Sequence, residues 1–457
     1  MKQKSAIQAP LDPGFLPAIV FNQAYIAEAR ASGKAVPLVL GLEREEGYLS
    51  RFTTIVKPDS SADTIRYVER IVKFLLWARG GWKLHFGGPR TIGEHIRRIY
   101  SATGARAFDV DLMGKIYEKP FEVVLTEADK VPIARELSAT VGGHLDGCRI
   151  GFDLGASDYK ISAVMNGEAI YTDEFPWDPK VQPDPNYHYN LINEGFKKAA
   201  AKLPRVDAIG GSTAGVVVNN RIMVASLFRA VPANRFNEAK NIFLRLRDAW
   251  KVPMEVANDG DVTALAGAMS LNTKAMLGVA MGSSEAGGYM NPAGGMTGWL
   301  SELAFAPVDF NPDAPADEWS GDRGVGALYF SQQAVNKLLP AAGIEAPADM
   351  GLPERLKLVQ GLMSKGDTRA ARIYETIGVY LGYTLPHYAD FYDYNNILIL
   401  GRVTTGAGGD ILINKAREVM KAQFETVAER IKLHVPDEKS RRVGQAVAAA
   451  SLPVIKR

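Results

Sequence analysis

The stretch from Asp153 to Lys160 carries side chains that could bind a metal ion and a phosphate at a single turn. It lies between two apolar runs, so the pattern predicts a strand, a tight turn and a second strand. Asp153 could hold a hydrated Mg²⁺ ion. Gly155 would let the backbone come close to a phosphate, and Ser157 could donate a hydrogen bond to it. Such turns also occur with a purely structural role, so this one does not assign a function alone.

A second carboxylate that could do chemistry is Asp259. It follows an apolar strand ending near Ala257 and precedes a helix predicted over residues 262–270. A hydroxyl could reach a carboxylate at such a strand end and give up its proton there. The alternative is that Asp259 or Asp261 only caps the helix. We interpret Asp259 as the base and Asp261 as the cap.

Three more predicted strands run into turns of small residues. They lie within residues 207–219, 277–288 and 396–403. Turns of this kind expose backbone N–H groups that can bind phosphates. The chain therefore holds two phosphate-type turns, one before and one after the strand-end carboxylate Asp259, and a late glycine turn near the end.

In order and spacing, these segments resemble the ROK family (repressors, open reading frames and sugar kinases) from about residue 149 to the end. Residues 298–308 are similar to that family's Gly-Glu-Ile-Gly-His stretch, and residues 377–382 are similar to its penultimate helix. The resemblance implies an α/β, actin-like (ribonuclease H-like) fold of two lobes. It also implies phosphoryl transfer to a sugar hydroxyl, with ATP and Mg²⁺ as cofactors.

The resemblance also implies a role for particular residues. Asn258 would contact the sugar while Asp259 takes its proton, and Glu302 would accept hydrogen bonds from sugar hydroxyls. Ser212 or Thr213 could reach another hydroxyl, and Asp153 would hold Mg²⁺ through water. The nucleotide would be bound by Asp153, Gly155, Ser157, Gly282, Ser283, Gly287, Gly288 and Gly401.

The sequence departs from the family pattern on both the nucleotide side and the sugar side of the predicted site. Glu285 stands in the second phosphate turn, where its charge would repel a triphosphate, so either it points away or nucleotide handling is altered. Arg402 replaces a glycine beside Gly401. The Cys-rich zinc loop is missing, and residues 307–322 take its place. Glu318 or Asp322 could replace that loop's sugar-binding glutamate, although a solvated carboxylate is the commoner case.

Three domains are predicted: residues 1–148, 149–270 and 271–457. The first lacks the nucleotide motifs, but periodicity predicts strands and helices at residues 36–42, 48–56, 62–78, 82–86, 91–101 and 121–125. It is therefore an additional N-terminal α/β module. Its hairpin, residues 41–56, is similar to the hairpin at Asp153, which raises the hypothesis of a degenerate actin-like lobe.

Composition limits the class of protein. The 457 residues carry a net charge of +2, which favours neither nucleic acid nor an anionic membrane as a partner. The single cysteine, Cys148, excludes an internal disulfide and a Cys-rich zinc site. The N-terminal residues lack a signal-peptide pattern, so we expect a cytoplasmic protein with a small-molecule partner. A homodimer is a further hypothesis.

Two functions remain open on the sequence. The first is an ATP-dependent sugar kinase, favoured by Asp153, Asp259 and Glu302. The second is a non-catalytic sensor of a sugar or nucleotide that signals through residues 1–148, favoured by Glu285, Arg402 and the missing zinc loop. A base at Asp259 argues for the kinase, because a sensor does not need one.

Overall fold

The computed structural model describes residues 5–136, 142–155, 158–435 and 438–455, with the side chains of residues 438–443 left out. The chain divides into two compact units. Unit 1 comprises Met1–Leu137, Val279–Gly287 and Trp299–His434, and unit 2 comprises Ser138–Gly278, Gly288–Gly298 and Val435–Arg457.

The elements follow one another as a mixed α/β sequence. The strands are β1 Val36–Glu43, β2 Leu49–Val56, β3 Lys83–Gly87, β4 Glu122–Thr126, β5 Cys148–Leu154, β6 Asp158–Met165, β7 Glu168–Pro176, β8 Ala208–Thr213, β9 Val216–Val218, β10 Arg221–Val224, β11 Met254–Asn258, β12 Met276–Met281, β13 Glu285–Met290, β14 Asn396–Leu400 and β15 Lys432–His434. The helices are α1 Ala18–Ala31, α2 Ala62–Arg79, α3 Arg90–Ile99, α4 Ala107–Tyr117, α5 Pro185–Ala200, α6 Phe236–Lys240, α7 Ile242–Trp250, α8 Asp259–Ser270, α9 Gln332–Leu338, α10 Leu352–Met363, α11 Thr368–Ala389, α12 Gly406–Gln423, α13 Glu425–Arg430 and α14 Glu438–Ala450.

Unit 2 is built on a five-stranded sheet in the order β11-β8-β5-β6-β7. Strands β5, β6 and β7 form an antiparallel meander, whereas β8 is parallel to β5 and β11 is parallel to β8. The carboxyl ends of β5, β8 and β11 therefore lie at one edge, where α/β sheets commonly bind ligands.

Two glycines let the last helix lie directly on this sheet. Gly151 on β5 pairs with Gly210 on β8. A Cβ at Gly151 would lie 2.2 Å from the Ala446 carbonyl oxygen, and one at Gly210 would lie 1.8 Å from that of Ala449. The close approach of α14 to the sheet therefore requires residues without side chains at these two positions.

The sheet of the N-terminal segment has a different topology. Its order is β2-β1-β3-β4. Strand β1 is antiparallel to both β2 and β3, and β3 is parallel to β4. In unit 2 the corresponding pair, β5 and β8, is parallel. The pairing of β1 with β3 is not the one that a degenerate actin-like lobe predicts.

Most predicted elements agree with the structure to within two or three residues. Five of the described helices escaped the sequence patterns, namely α1, α4, α6, α7 and α10. Helix α1 shows why, because it buries consecutive residues at its start, Ala18 to Val20, instead of one stripe. Helix α9 begins at Gln332, where the Ser331 hydroxyl accepts a hydrogen bond from Gln333 N.

Candidate functional site

Asp153 lies at the carboxyl end of β5 beside the next strand of the parallel sheet. Its Oδ1 accepts a hydrogen bond of 2.7 Å from the hydroxyl of Ser212, its register partner on β8. The Lys160 Nζ, on the antiparallel side, is 3.9 Å from Oδ2. The side chain of Asp153 is 14% exposed. Loss of hydration raises the pKa of this carboxyl above its ordinary value.

Asn258 ends strand β11 and caps helix α8. Its Oδ1 accepts a hydrogen bond from Gly260 N at 2.7 Å, and its Nδ2 donates to the Gly215 carbonyl at 2.9 Å. The helix therefore begins at Asp259, three residues earlier than predicted, and Asp259 occupies its first turn. The amide of Asn258 thus joins the strand end to the turn after β8.

Asp261 does not cap the helix, so our interpretation of it as the cap is wrong. Asn258 already occupies that position. The Asp261 Oδ1 instead accepts a hydrogen bond of 3.1 Å from Tyr289 N. A Cβ at Gly288 would lie 2.0 Å from the Gly260 carbonyl oxygen, so this glycine lets β13 touch the first turn of α8.

Asp153, Asp259 and Asp261, called here the site carboxylates, are poorly compensated. Among the described residues, Asp259 and Asp261 form no ion pair. Burial raises the pKa of Asp259 to about 7, and the charge of Asp153 adds to this. Burial likewise raises the pKa of Asp261 to about 7. A carboxylate with such a pKa can accept a proton near neutral pH.

The other predicted residues of unit 2 line the same strand ends. Gly155 closes the β5–β6 hairpin, with its N–H donating to the Asp158 carbonyl at 2.9 Å. Thr213 is fully buried and is the register partner of both Leu154 and Asn258. Ser157, predicted to contact a phosphate, lies outside the described residues.

In unit 1 the second predicted phosphate turn joins β12 to β13. Gly282 and Ser283 lie in the turn, where Gly282 N donates to the Ser284 carbonyl at 3.0 Å. Gly287 lies in strand β13, and a Cβ there would be 2.5 Å from the Ser301 carbonyl oxygen. Gly401 follows β14 with φ +113°, and a Cβ there would be 2.3 Å from the Met281 carbonyl oxygen. Both positions require glycine for packing.

Glu285 points into the interior of unit 1. It is 3% exposed, and its Oε1 accepts a hydrogen bond of 3.0 Å from the Tyr388 hydroxyl. Burial raises its pKa to about 8, so the side chain is largely neutral at pH 7. Of the two alternatives that the sequence left open, the structure favours a glutamate that points away from the turn.

Glu302 lies on a segment that packs against the N-terminal helix α2. Its backbone N–H donates to the Trp77 carbonyl at 3.0 Å, and its side chain is partly exposed. Phe305, which stands near the position of the family histidine, contacts the Trp77 ring at a centroid distance of 4.4 Å.

The loop that replaces the zinc loop is held by charges from the N-terminal segment. Asp322 forms a two-pronged pair with Arg70 at 3.0 and 3.1 Å, and Arg106 approaches it to 2.6 Å. Lys73 bridges Asp322 at 3.3 Å and Asp109 at 2.7 Å. Together with Glu69 these residues form a cluster of three cations and three anions, called here the six-charge cluster. Asp322 is therefore engaged within it, whereas Glu318 is exposed.

Sequence patterns missed the roles of Ser212 and Asp322. The hydroxyl of Ser212 points at Asp153 because β8 pairs with β5 in this register. Arg70 and Asp322 are 252 residues apart in the chain.

Within the described residues, no group of three His, Cys, Asp or Glu side chains is arranged to hold a metal ion. None of the helices that the structure describes has both the length and the apolar character of a membrane span.

Comparisons with known proteins bear on the fold. Neither a protein-family model nor a curated protein sequence matches this chain. Among solved structures, a ROK hexokinase from Thermus thermophilus is 18% identical, with a TM-score of 0.52, over 66% of this chain and 98% of its own. The fold is that of the ROK proteins. The actin-like α/β architecture expected from the sequence is thereby confirmed.

Other structures share the ROK fold without sharing one function. A ROK family transcriptional regulator, a homologue of the E. coli MLC protein, is 18% identical with a TM-score of 0.52, over 67% of this chain and 78% of its own. A ROK family protein from Streptococcus pneumoniae TIGR4, in complex with sucrose, is 12% identical with a TM-score of 0.50, over 66% and 97%. The choice between an enzyme and a regulator therefore depends on the site residues.

Proposed function

We propose that this chain is a carbohydrate kinase of the ROK type, which transfers a phosphoryl group from ATP to a hydroxyl of a sugar or sugar-like substrate. The proposal is based on the position and the environment of Asp259. It stands at the end of a parallel strand with no counter-ion among the described residues and a pKa raised to about 7. Desolvating an unpaired acid costs stability, so its presence is explained best by a proton-transfer role.

The side chains around Asp259 suit the acceptor side of the reaction. Asp259 would take the proton from the attacking hydroxyl as the new O–P bond forms. The bond from Asn258 to the Gly215 carbonyl holds the strand end, and the second Asn258 contact starts the helix at Asp259. The orientation of the base therefore depends on main-chain packing, not on a mobile loop.

Asp153 fits the requirement for Mg²⁺. It offers one carboxylate oxygen to a ligand while the other is held by Ser212. Mg²⁺ keeps several waters and binds through one or two carboxylates plus substrate phosphates, so a single protein carboxylate is sufficient. When bound, Mg²⁺·ATP supplies the phosphoryl group, and the metal neutralises its charge. Binding of both nucleotide and sugar by this chain is part of the proposal.

A screen of monosaccharides tests the proposal directly. D-glucose, D-mannose, D-fructose and their N-acetylamino relatives would be added with and without Mg²⁺·ATP, following the melting temperature and the release of ADP. A substrate should raise the melting temperature and cause ADP release that depends on the sugar. A sugar that raises the melting temperature in both conditions without any ADP release would reject the kinase in favour of a sensor.

A further inference from the structure

The segment that carries Glu302 is bound to the carboxyl end of helix α2. Ser301 N donates to the Ala78 carbonyl at 2.9 Å, and Glu302 N donates to the Trp77 carbonyl at 3.0 Å. These carbonyls belong to the last turn of the helix, where backbone acceptors lack intrahelical donors. The helix end and the Glu302 segment therefore satisfy each other's backbone groups.

Gly80 permits this close approach. It has φ +78°, and its N–H donates back to the Leu76 carbonyl. A Cβ at this position would lie 2.0 Å from the Tyr117 hydroxyl and 2.8 Å from Leu300 Cγ. Any side chain would be strained and would push Leu300, two residues before Glu302, away from the helix.

Two tryptophans fix the same segment from either side. The Trp77 ring contacts Phe305, and its indole N–H donates to the Asp109 Oδ1 at 2.6 Å. The Trp299 indole N–H donates to Glu136 Oε2 at 3.0 Å, with the Arg79 guanidinium 4.7 Å from its ring centroid. Trp77 is 1% exposed, so its ring has one defined position.

The same helix also holds the far end of the following loop. Arg70 and Lys73, one to two turns before Trp77, pair with Asp322 in the six-charge cluster. Both chain ends of residues 306–321 are thus attached to α2. The attachments at the two ends are different in kind, one made by backbone hydrogen bonds and the other by buried charges.

We propose that helix α2 is a permanent support of the segment that carries Glu302, and that Trp77 is a positioning residue which acts through Glu302. This rests on the proposed function, because Glu302 is the candidate sugar ligand. It assigns the N-terminal segment a task in substrate binding. The segment is then not a detachable module, and its removal would leave Glu302 without its supporting surface.

The test replaces Trp77 with phenylalanine, which keeps an aromatic ring and removes the bond to Asp109. Amide hydrogen exchange of residues 299–305 should accelerate by about fivefold or more, because this segment opens more often. The Kd of the monosaccharide that gives the largest thermal shift should rise about three- to tenfold, with Kd for ATP unchanged. Trp250→Phe is the matched control, since it also loses an indole bond, to Asn193 Oδ1 at 2.8 Å in unit 2.

A double mutant separates positioning from general loosening. If Trp77 acts through Glu302, sugar affinity in Trp77→Phe/Glu302→Gln should be no weaker than in Glu302→Gln alone. Trp299→Phe, a milder change at a partly exposed side chain, provides the same readouts if Trp77→Phe does not fold.

The outcomes distinguish this inference from the proposed function. Unchanged exchange of residues 299–305 in the folded variants would overturn the inference, whatever the sugar titration gives. So would a sugar that binds wild type and Trp77→Phe equally well. If amide exchange of residues 299–305 accelerates in the variant but the protein binds none of the sugars, α2 does hold this segment and the kinase proposal is rejected.

Discussion

The site carboxylates and the six-charge cluster bring together the same kinds of side chain with opposite results. Each contains three partly or fully buried carboxylates. In the cluster, Glu69, Asp109 and Asp322 face Arg70, Lys73 and Arg106 at 2.6–3.3 Å. In the site, the nearest cation among the described side chains is Lys160, 3.9 Å from Asp153.

Under the proposed function, this difference separates a structural group of charges from one that takes part in the reaction. In the cluster, burial raises the pKa of Glu69 and Asp109, and the neighbouring cations oppose this rise while they hold the elements together. Carboxylates that are desolvated without a partner hold their proton to higher pH, which places the pKa of Asp259 at about 7. The presence of three buried acids therefore does not indicate their role until their partners are known.

The largest effect is expected for Asp259→Asn, which tests whether an uncompensated site carboxylate acts as the base. We expect phosphoryl transfer to fall by about 10³-fold or more, because the amide cannot accept the proton. The melting temperature should stay the same or rise slightly, since an unpaired acid is removed. Coupled measurement of ADP release, together with nucleotide titration, checks this.

Asp261→Asn is the matched control for that change, because its pKa is raised to the same value without a proposed proton transfer. Its rate should stay within about tenfold of wild type. Equal rates for both variants would remove Asp259 as the base.

The converse result is expected for Asp322→Ala in the cluster. Removing this carboxylate leaves the positive charges of Arg70, Lys73 and Arg106 without full compensation. The free energy of unfolding should therefore fall by about 3–5 kcal/mol. Denaturant unfolding measures the loss. Asp317→Ala, in the same loop, removes a carboxylate that accepts only hydrogen bonds, from Ser320 and Trp319 N, and should cost about 1 kcal/mol. Similar losses for the two variants would contradict the role of the cluster.

The pH dependence of the reaction sharpens the contrast further. Since Asp259 must be ionised to accept a proton and its pKa is raised to about 7, kcat/KM should rise with pH through about 7. Below that value it should fall about tenfold for each pH unit. A profile that is flat from pH 5 to pH 8 would mean that Asp259 does not titrate in the reaction.

Glu285→Gln tests a buried acid that lies outside both groups. Its pKa of about 8 exceeds the ordinary 4.5, so the folded chain binds this proton more tightly than the unfolded chain. The resulting stabilisation is complete below pH 4.5 and is lost as the pH rises to about 8. The variant should therefore match wild type near pH 4.5 and exceed it by about 1–3 kcal/mol at pH 8.5. Its KM for ATP should not change, because the side chain is directed at Tyr388.

Ser212→Ala gives the smallest expected effect. It removes the donor that holds Asp153, so the Mg²⁺ concentration for half-maximal activity should rise about tenfold. Ser162→Ala removes another buried hydroxyl of the same sheet, on β6, and should leave the Mg²⁺ dependence alone. A change of the same size in both variants would show general loosening of the sheet.

The sequence predicted the elements of the molecule better than their partners. Strands β1, β2 and β3 were predicted to within a residue because their apolar runs are bounded by charged residues and glycines. Asp153, Asn258 and Asp259 were predicted as site residues because each stands at the end of such a strand or directly after it. Helix α4 was not predicted because its Asp109 is buried against Lys73, whereas a charged residue in the sequence pattern indicates an exposed position.

By itself, the sequence predicted that strands would end at or just before Asp153 and Asp259, since both predictions follow from local patterns of apolar and small residues. Only the tertiary structure decided which carboxylates are compensated. Glu285 stands in a predicted phosphate turn, with its direction left open by the sequence, and is buried against Tyr388. Asp322 was weighed as a sugar ligand and pairs with Arg70. The physical reason is that charge compensation acts over a few ångströms between residues far apart in the chain, and no local pattern records that distance.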